Sequence, residues 1–220
     1  PNYADAYNGM GTALRDSGQF EESIIWLRKG LEIQPNHYDI HTGLGNALLA
    51  FGKPDEALTC YEQAIRINPN HPNAYHNLGG ALRSLGKFAE AIAYFQKALA
   101  LNPNLHQTHN SLGNTLYDQD QLADAFLCYQ KALSLQPNDP DTLNNIGIVL
   151  TDQGKLEEAE SFSREALAIR RKAFGNEHTE TADLLHSLAS ILVARDKIAE
   201  AEMLQREALA IYQRAAPGSW

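Results

Sequence analysis

The sequence predicts an all-α fold, a solenoid of about six helix-turn-helix hairpins running as one domain over residues 1–220. Three observations carry that expectation. Gly45-Asn46-Ala47-Leu48, Gly79-Gly80-Ala81-Leu82 and Gly113-Asn114-Thr115-Leu116 return every 34 residues. Pro35, Pro69, Pro103 and Pro137 keep the same period. Within a period, apolar residues fall at helical spacing in two runs, for example Tyr75, Leu78, Gly79 and Leu82, then Phe88, Ala91, Phe95, Ala98 and Leu99. The hairpins fall at approximately 4–37, 38–71, 72–105, 106–139, 140–173 and 182–215.

Each element has a local reason. Gly18, Gly52, Gly86 and Gly154 stand where a first helix must stop and the chain reverse, because glycine alone enters the left-handed region without penalty. Pro54 opens a second helix, where its missing amide proton costs nothing. Small residues pair across each hairpin and let two helix axes approach: Gly11 with Ser23, Gly45 with Ala57, Gly79 with Ala91, Gly113 with Ala125, Gly147 with Ala159, and Ala189 with Ala201. Gly30, Ala64, Ala98, Ala132, Ala166 and Ala208 give the same clearance toward the next hairpin. Prolines close the first four hairpins. In the fifth, Arg171 takes that place, so the helix is expected to run on through Ala173 before Phe174-Gly175-Asn176.

Composition narrows the function classes. A hydrophobic content of 44% supports a soluble, folded chain, and no apolar run approaches the roughly 20 residues needed to cross a bilayer. The opening Pro1-Asn2-Tyr3, without methionine or a signal-like pattern, suggests a piece of something longer. A formal charge of −9 disfavours nucleic acid and anionic membranes, whose binding needs clustered Lys and Arg. Cys60 and Cys128 lie in non-adjacent hairpins, too far apart to bridge, which fits reduced thiols and a cytoplasmic setting.

The pattern of an aromatic, Leu-Gly, Ala, an aromatic, Ala and Pro, met nearly throughout from Tyr75-His76-Asn77-Leu78-Gly79 to Pro103, resembles the tetratricopeptide repeat family. Hairpins one to five are most similar to the repeats of O-linked N-acetylglucosamine transferases. The stretch from Glu165 through Phe174-Gly175 and His178 resembles the repeats of kinesin light chains. The resemblance implies a right-handed superhelix whose first helices line a concave groove that holds polypeptide segments.

Family geometry places Asn8, Asn46, Asn73, Asn77, Asn110, Asn114, Asn144 and Asn145 toward that groove. An amide side chain both donates and accepts, so spaced asparagines can grip an extended peptide without reading its side chains. In the transferases a ladder of asparagines before Leu-Gly does this; only Asn77 and Asn145 match that position, while Gly9, Gly43 and Ser111 interrupt it. The carboxylate clamp of other family members would need Lys and Arg where Asn8, Thr12, Gly43, Asn73 and Asn77 stand. Groove cations reduce to Arg15 and Arg83, against Asp5, Asp16, Asp39, Asp118, Asp141 and Asp152, which favours a neutral or basic peptide.

No catalytic, cofactor or metal site is expected. The Gly-x-Gly stretches fall inside helices rather than after strands. His76, His106 and His109 lack a completing carboxylate or thiol, and His109 reads as a packing residue in the place of Tyr75. Acidic pairs such as Glu21-Glu22 and Glu157-Glu158 open second helices, where negative charge suits the helix dipole. A binding scaffold is therefore the expected function. A substrate-recruiting arm of a larger enzyme and a self-assembling module are the alternatives. For the last, Met203, Leu204, Leu209, Ile211 and Trp220 are candidates for an open apolar end face.

Overall fold

The computed structural model describes residues 3–215, so Trp220 lies outside the described residues. They form twelve α-helices and no strand. The helices pair in chain order: α1 (Tyr3–Asp16) with α2 (Phe20–Ile33), α3 (Tyr38–Ala50) with α4 (Pro54–Ile67), and α5 (Pro72–Ser84) with α6 (Phe88–Leu101). Then come α7 (His106–Tyr117) and α8 (Leu122–Leu135) in chain order, followed by the pairs α9 (Pro140–Asp152) with α10 (Leu156–Phe174) and α11 (Thr179–Ala194) with α12 (Ile198–Ala215). The chain sorts into two compact units divided within α7, one ending at Thr115 and the other starting at Leu116.

The expected turns form. Gly18, Gly52, Gly86 and Gly154 adopt φ of 79°, 82°, 72° and 75°. In the second hairpin the Lys53 amide reaches back to the Leu48 carbonyl at 2.8 Å, closing the end of α3. Two hairpins dispense with glycine: Asp120 and Asp196 hold φ of 58° and 59° at the equivalent points. A short polar side chain tolerates this region, which is why the reversal survives there without a glycine signal.

In the first unit the glycines do more than sit beside a small partner. A Cβ at Gly11 would stand 2.5 Å from Leu27 Cγ, at Gly45 2.5 Å from Tyr61 Cε1, and at Gly79 2.8 Å from Phe95 Cε1. The small residue across the hairpin lets the helices close. The large one a turn later, fully buried in each case, then lies flat on the bare glycine. Ser23 adds a buried hydrogen bond, its Oγ donating to the Gly11 carbonyl at 2.6 Å. In the second unit Gly147 packs on Ser163 and the Ala159 carbonyl. Ala189 and Ala201 are buried together in one cluster, and Gly113 and Ala125 are buried as well.

Successive hairpins are tied by one repeated hydrogen bond. Rings at the fourth position of hairpins two, three and four donate to the carbonyl of the proline that ends the hairpin before. The three bonds are His41 to Pro35 at 2.8 Å, Tyr75 to Pro69 at 3.0 Å and His109 to Pro103 at 2.9 Å. His109 is thus the counterpart of Tyr75.

The second unit carries the irregular period. α10 continues through Phe174, one residue further than expected, and Gly175 ends it at φ 83°. Near its end Arg170, buried on α10, pairs with Asp141 at 2.5 Å and with Glu180, its guanidinium lying 5.6 Å over the Phe174 ring. Further along, buried Glu160 collects Arg164 at 2.8 Å, Lys197 at 2.9 Å and Arg195. Burial pushes its carboxyl up, but hydrogen bonds from Lys197, Arg164 and Arg195 outweigh this and hold it at about 2.

Candidate functional site

First helices of adjacent hairpins leave a recess in the first unit, with a cavity of about 460 Å³ between α3, α5 and the start of α7. Its position follows from the repeat. Small and polar residues occupy the helix faces turned away from the hairpin partner, so the helices stack without filling the space in front of them.

Three of the expected asparagines, Asn46, Asn73 and Asn77, line this recess together. Asn46 accepts a hydrogen bond from Tyr61 Oη at 2.8 Å, which fixes the amide's orientation. Asn110 and Asn114, half-buried on α7, are not among its lining residues. Asn8 is on α1, with its Oδ1 buried and without a hydrogen-bond partner, and the same holds for Asn144 Oδ1 on α9 in the second unit. Asn145 lies beside Asn144, half-buried.

Tyr38, Thr42 and His71 were not singled out from the sequence, unlike Asp39, His76 and His106, which also line the recess. The Tyr38 and His71 rings meet tilted at 37° with centroids 4.5 Å apart, and the Tyr38 hydroxyl and His71 Nδ1 are both buried without a hydrogen-bond partner among the described residues. Thr42 turns its hydroxyl to the Tyr38 carbonyl at 3.1 Å. Burial, ahead of the nearby charge of Asp39, raises the Tyr38 phenol pKa, so it stays protonated. His76 stands 3.0 Å from Thr108 Oγ1, and its burial lowers its pKa and keeps it neutral at pH 7. A weak sequence signal existed: His37 and His71 recur 34 residues apart as N-caps of α3 and α5.

Charge at the groove differs from the formal tally. Asp5 pairs with His37, Asp16 with Arg15, and Asp141 with Arg170, while Asp152 accepts from the Tyr117 hydroxyl at 2.7 Å. Asp39 is the single carboxylate lining the recess, and no Lys or Arg lines it.

Among the described residues no three His, Cys, Asp or Glu side chains gather in a metal-binding group. No helix of the described residues is long and apolar enough to cross a membrane. Both cysteines are free, and burial pushes each thiol up to about 11, the reverse of what a nucleophile requires.

Repeated helical hairpins with small residues at fixed crossings and a polar groove define a repeat scaffold of the protein-interaction class. Descriptions of the tetratricopeptide repeat match residues 11–52, 42–106, 113–154 and 138–214, and the chain belongs to that family. No curated protein sequence matches it. Among solved structures, MamA is 25% identical, with a TM-score of 0.65 over 74% of this chain and 95% of that one. PilF of Pseudomonas aeruginosa is 23% identical, TM-score 0.76, over 98% and 93%. YrrB, described as a TPR protein with an unusual peptide-binding site, is 22% identical, TM-score 0.58, over 74% and 84%.

Proposed function

We propose that the chain is a non-catalytic interaction module, one domain across its six hairpins, that holds an extended peptide segment of a partner protein along its first helices. The recess between α3, α5 and α7 is the first point of contact. The observation that carries this reading is the pairing of oriented amides with polar atoms left unmatched. Asn46, Asn73 and Asn77 stand beside a Tyr38 hydroxyl and a His71 Nδ1 that are buried yet make no hydrogen bond. A buried polar group without a partner costs roughly 1–3 kcal/mol, so a ligand that supplies the partner regains that cost on binding.

A peptide backbone offers a donor and an acceptor at every residue and suits such a row. With Asp39 the only fixed charge of the lining, a neutral or basic segment is the better fit, and polyanions are disfavoured by the net charge of −9. Asn8, Asn110 and Asn114 carry the same amide chemistry on other first helices of the first unit, and Asn144 and Asn145 carry it on α9 of the second. The peptide-binding site in the YrrB description supports the same reading. The free thiols suit a reducing, cytoplasmic setting.

The test is selection of peptides from a random displayed library, followed by calorimetric titration into the chain and into Asn73→Ala/Asn77→Ala. Two lost hydrogen bonds, at about 0.5–1.5 kcal/mol each, predict roughly 5- to 150-fold weaker binding at an unchanged melting temperature. Selected peptides that bind both proteins equally would remove the recess from the account.

A further inference from the structure

We infer that the segment held in the recess carries an arginine, whose guanidinium seats against Asp39 beside the Tyr38 and His71 rings. This deepens the groove reading and rests on it. The observation is a recurring acid that lacks its partner in one hairpin. Counting positions from Ala4, Tyr38, Pro72, His106, Pro140 and Ala182, position 2 is aspartate four times, as Asp5, Asp39, Asp141 and Asp183. Three of these are matched inside the fold. Asp5 pairs with His37 at 2.9 Å, Asp141 pairs with Arg170 at 2.5 Å, and Asp183 accepts from the Tyr212 hydroxyl. Asp39 alone of the four has no hydrogen-bond or ion-pair partner among the described residues, and it is the carboxylate that lines the recess.

The neighbouring residues explain the gap. Arg170 and Tyr212 both stand at position 31 and reach back to position 2 of their own hairpins; in hairpin two that position is Asn68, short and uncharged. In hairpin one the partner comes from position 34 instead, as His37. Hairpin two repeats this histidine as His71, but its position 1 is Tyr38 where hairpin one has Ala4. The His71 ring meets the Tyr38 ring, centroids 4.5 Å apart, and makes no pair with Asp39. A first-turn carboxylate suits the helix dipole at Asp5, Asp39 and Asp141 alike, so the dipole does not account for the difference.

The surroundings select a guanidinium as the occupant. No Lys or Arg lines the recess to repel a cation, and burial keeps His76 neutral at pH 7. A planar fork of N–H groups meets a carboxylate with two parallel bonds while its face lies on an aromatic ring, and the amides of Asn73 and Asn77, each with an oxygen that accepts, line the same recess. An ammonium is a compact, strongly hydrated charge that uses the carboxylate but neither the fork nor the rings. An acidic side chain would meet Asp39 with no fixed cation to offset it.

The direct probe is N-acetyl-arginine methylamide, titrated into the isotope-labelled chain by NMR beside its citrulline and lysine counterparts; citrulline keeps the shape of arginine without its charge. The arginine probe should shift the backbone amide signals of Tyr38, Asp39 and His71 saturably. The citrulline probe should bind roughly three- to tenfold more weakly, the loss of one charge-assisted pair at a partly open site. Asp39→Asn changes an exposed residue, so it should melt as the parent does while erasing that preference. Peptides selected from the displayed library should carry an arginine, and replacing it with citrulline should weaken binding to the parent but not to Asp39→Asn. Selected peptides that lose affinity for Asn73→Ala/Asn77→Ala yet bind the parent equally well with citrulline or lysine in that place would overturn the arginine seat and leave the groove reading standing, as would an arginine preference that persists in Asp39→Asn. Peptides indifferent to Asn73→Ala/Asn77→Ala would remove the groove reading and this inference with it.

Discussion

Alanine at Gly45 and alanine at Gly80 should move stability in opposite directions, although both glycines lie in the middle of a first helix and the change is one methyl group. At either site alanine gains about 1 kcal/mol of helix propensity. At Gly80 a Cβ meets nothing within 4 Å, so that gain stands, and the melting temperature should rise by about 2–4 °C for a chain of this size. At Gly45 the Cβ would stand 2.5 Å from Cε1, 2.8 Å from Cζ and 2.9 Å from Cδ1 of Tyr61. That ring is fully buried and tethered through its hydroxyl to Asn46, so it cannot swing aside freely. Overpacking costs about 1–3 kcal/mol, and loss of the Tyr61–Asn46 hydrogen bond about 1 more. Setting the propensity gain against these leaves a net loss of about 1–3 kcal/mol, a fall of roughly 2–12 °C. Circular dichroism melts at 222 nm for the two variants and the parent read this directly. A Gly45→Ala protein as stable as Gly80→Ala would show that the ring gives way and that close approach is not what glycine supplies there.

Three further outcomes follow from other parts of the structure. Glu160 is held at about 2 against an ordinary value near 4.5, so the stability it contributes is complete above the unfolded value and fades as pH falls toward 2. Because Arg164 and Lys197 are partly exposed, that contribution is discounted to about 1–2 kcal/mol. Urea unfolding should therefore separate Glu160→Gln from the parent at pH 7 and leave roughly half of that gap or less near pH 3; an equal gap at both would refute the assignment. Asp120→Gly and Asp196→Gly relieve a left-handed backbone at φ 58° and 59° and should stabilise by up to about 1 kcal/mol each in the same assay, with a destabilised variant counting against strain there. Cys60 and Cys128, with thiols pushed up to about 11, should react slowly with a disulfide reagent at pH 8 in the native state and fast in urea. Rapid native labelling would mean the second helices open readily.

The sequence by itself determined the period, the helices and their crossings. Repetition makes each unit's evidence count six times, and a glycine that must accept a large neighbour leaves the same mark every time, as Gly11, Gly45 and Gly79 do. The family resemblance those residues carry also pointed Asn46, Asn73 and Asn77 toward one surface, and they line one recess. The sequence did not show that the Tyr38 and His71 rings meet, since those residues stand at opposite ends of one 34-residue period and come together only when α5 packs on α3. Nor did it show that Arg170 is clasped by Asp141 and Glu180 near the end of α10. Asp120 and Asp196 in glycine's place gave no sign, because aspartate is common on any surface. Nor did the sequence show which apolar residues of α12 the other helices cover: Ile211, expected on an open end face, is 3% exposed, whereas Met203 is 70% exposed. Periodicity fixes what each helix can bury, while burial itself depends on which neighbour arrives.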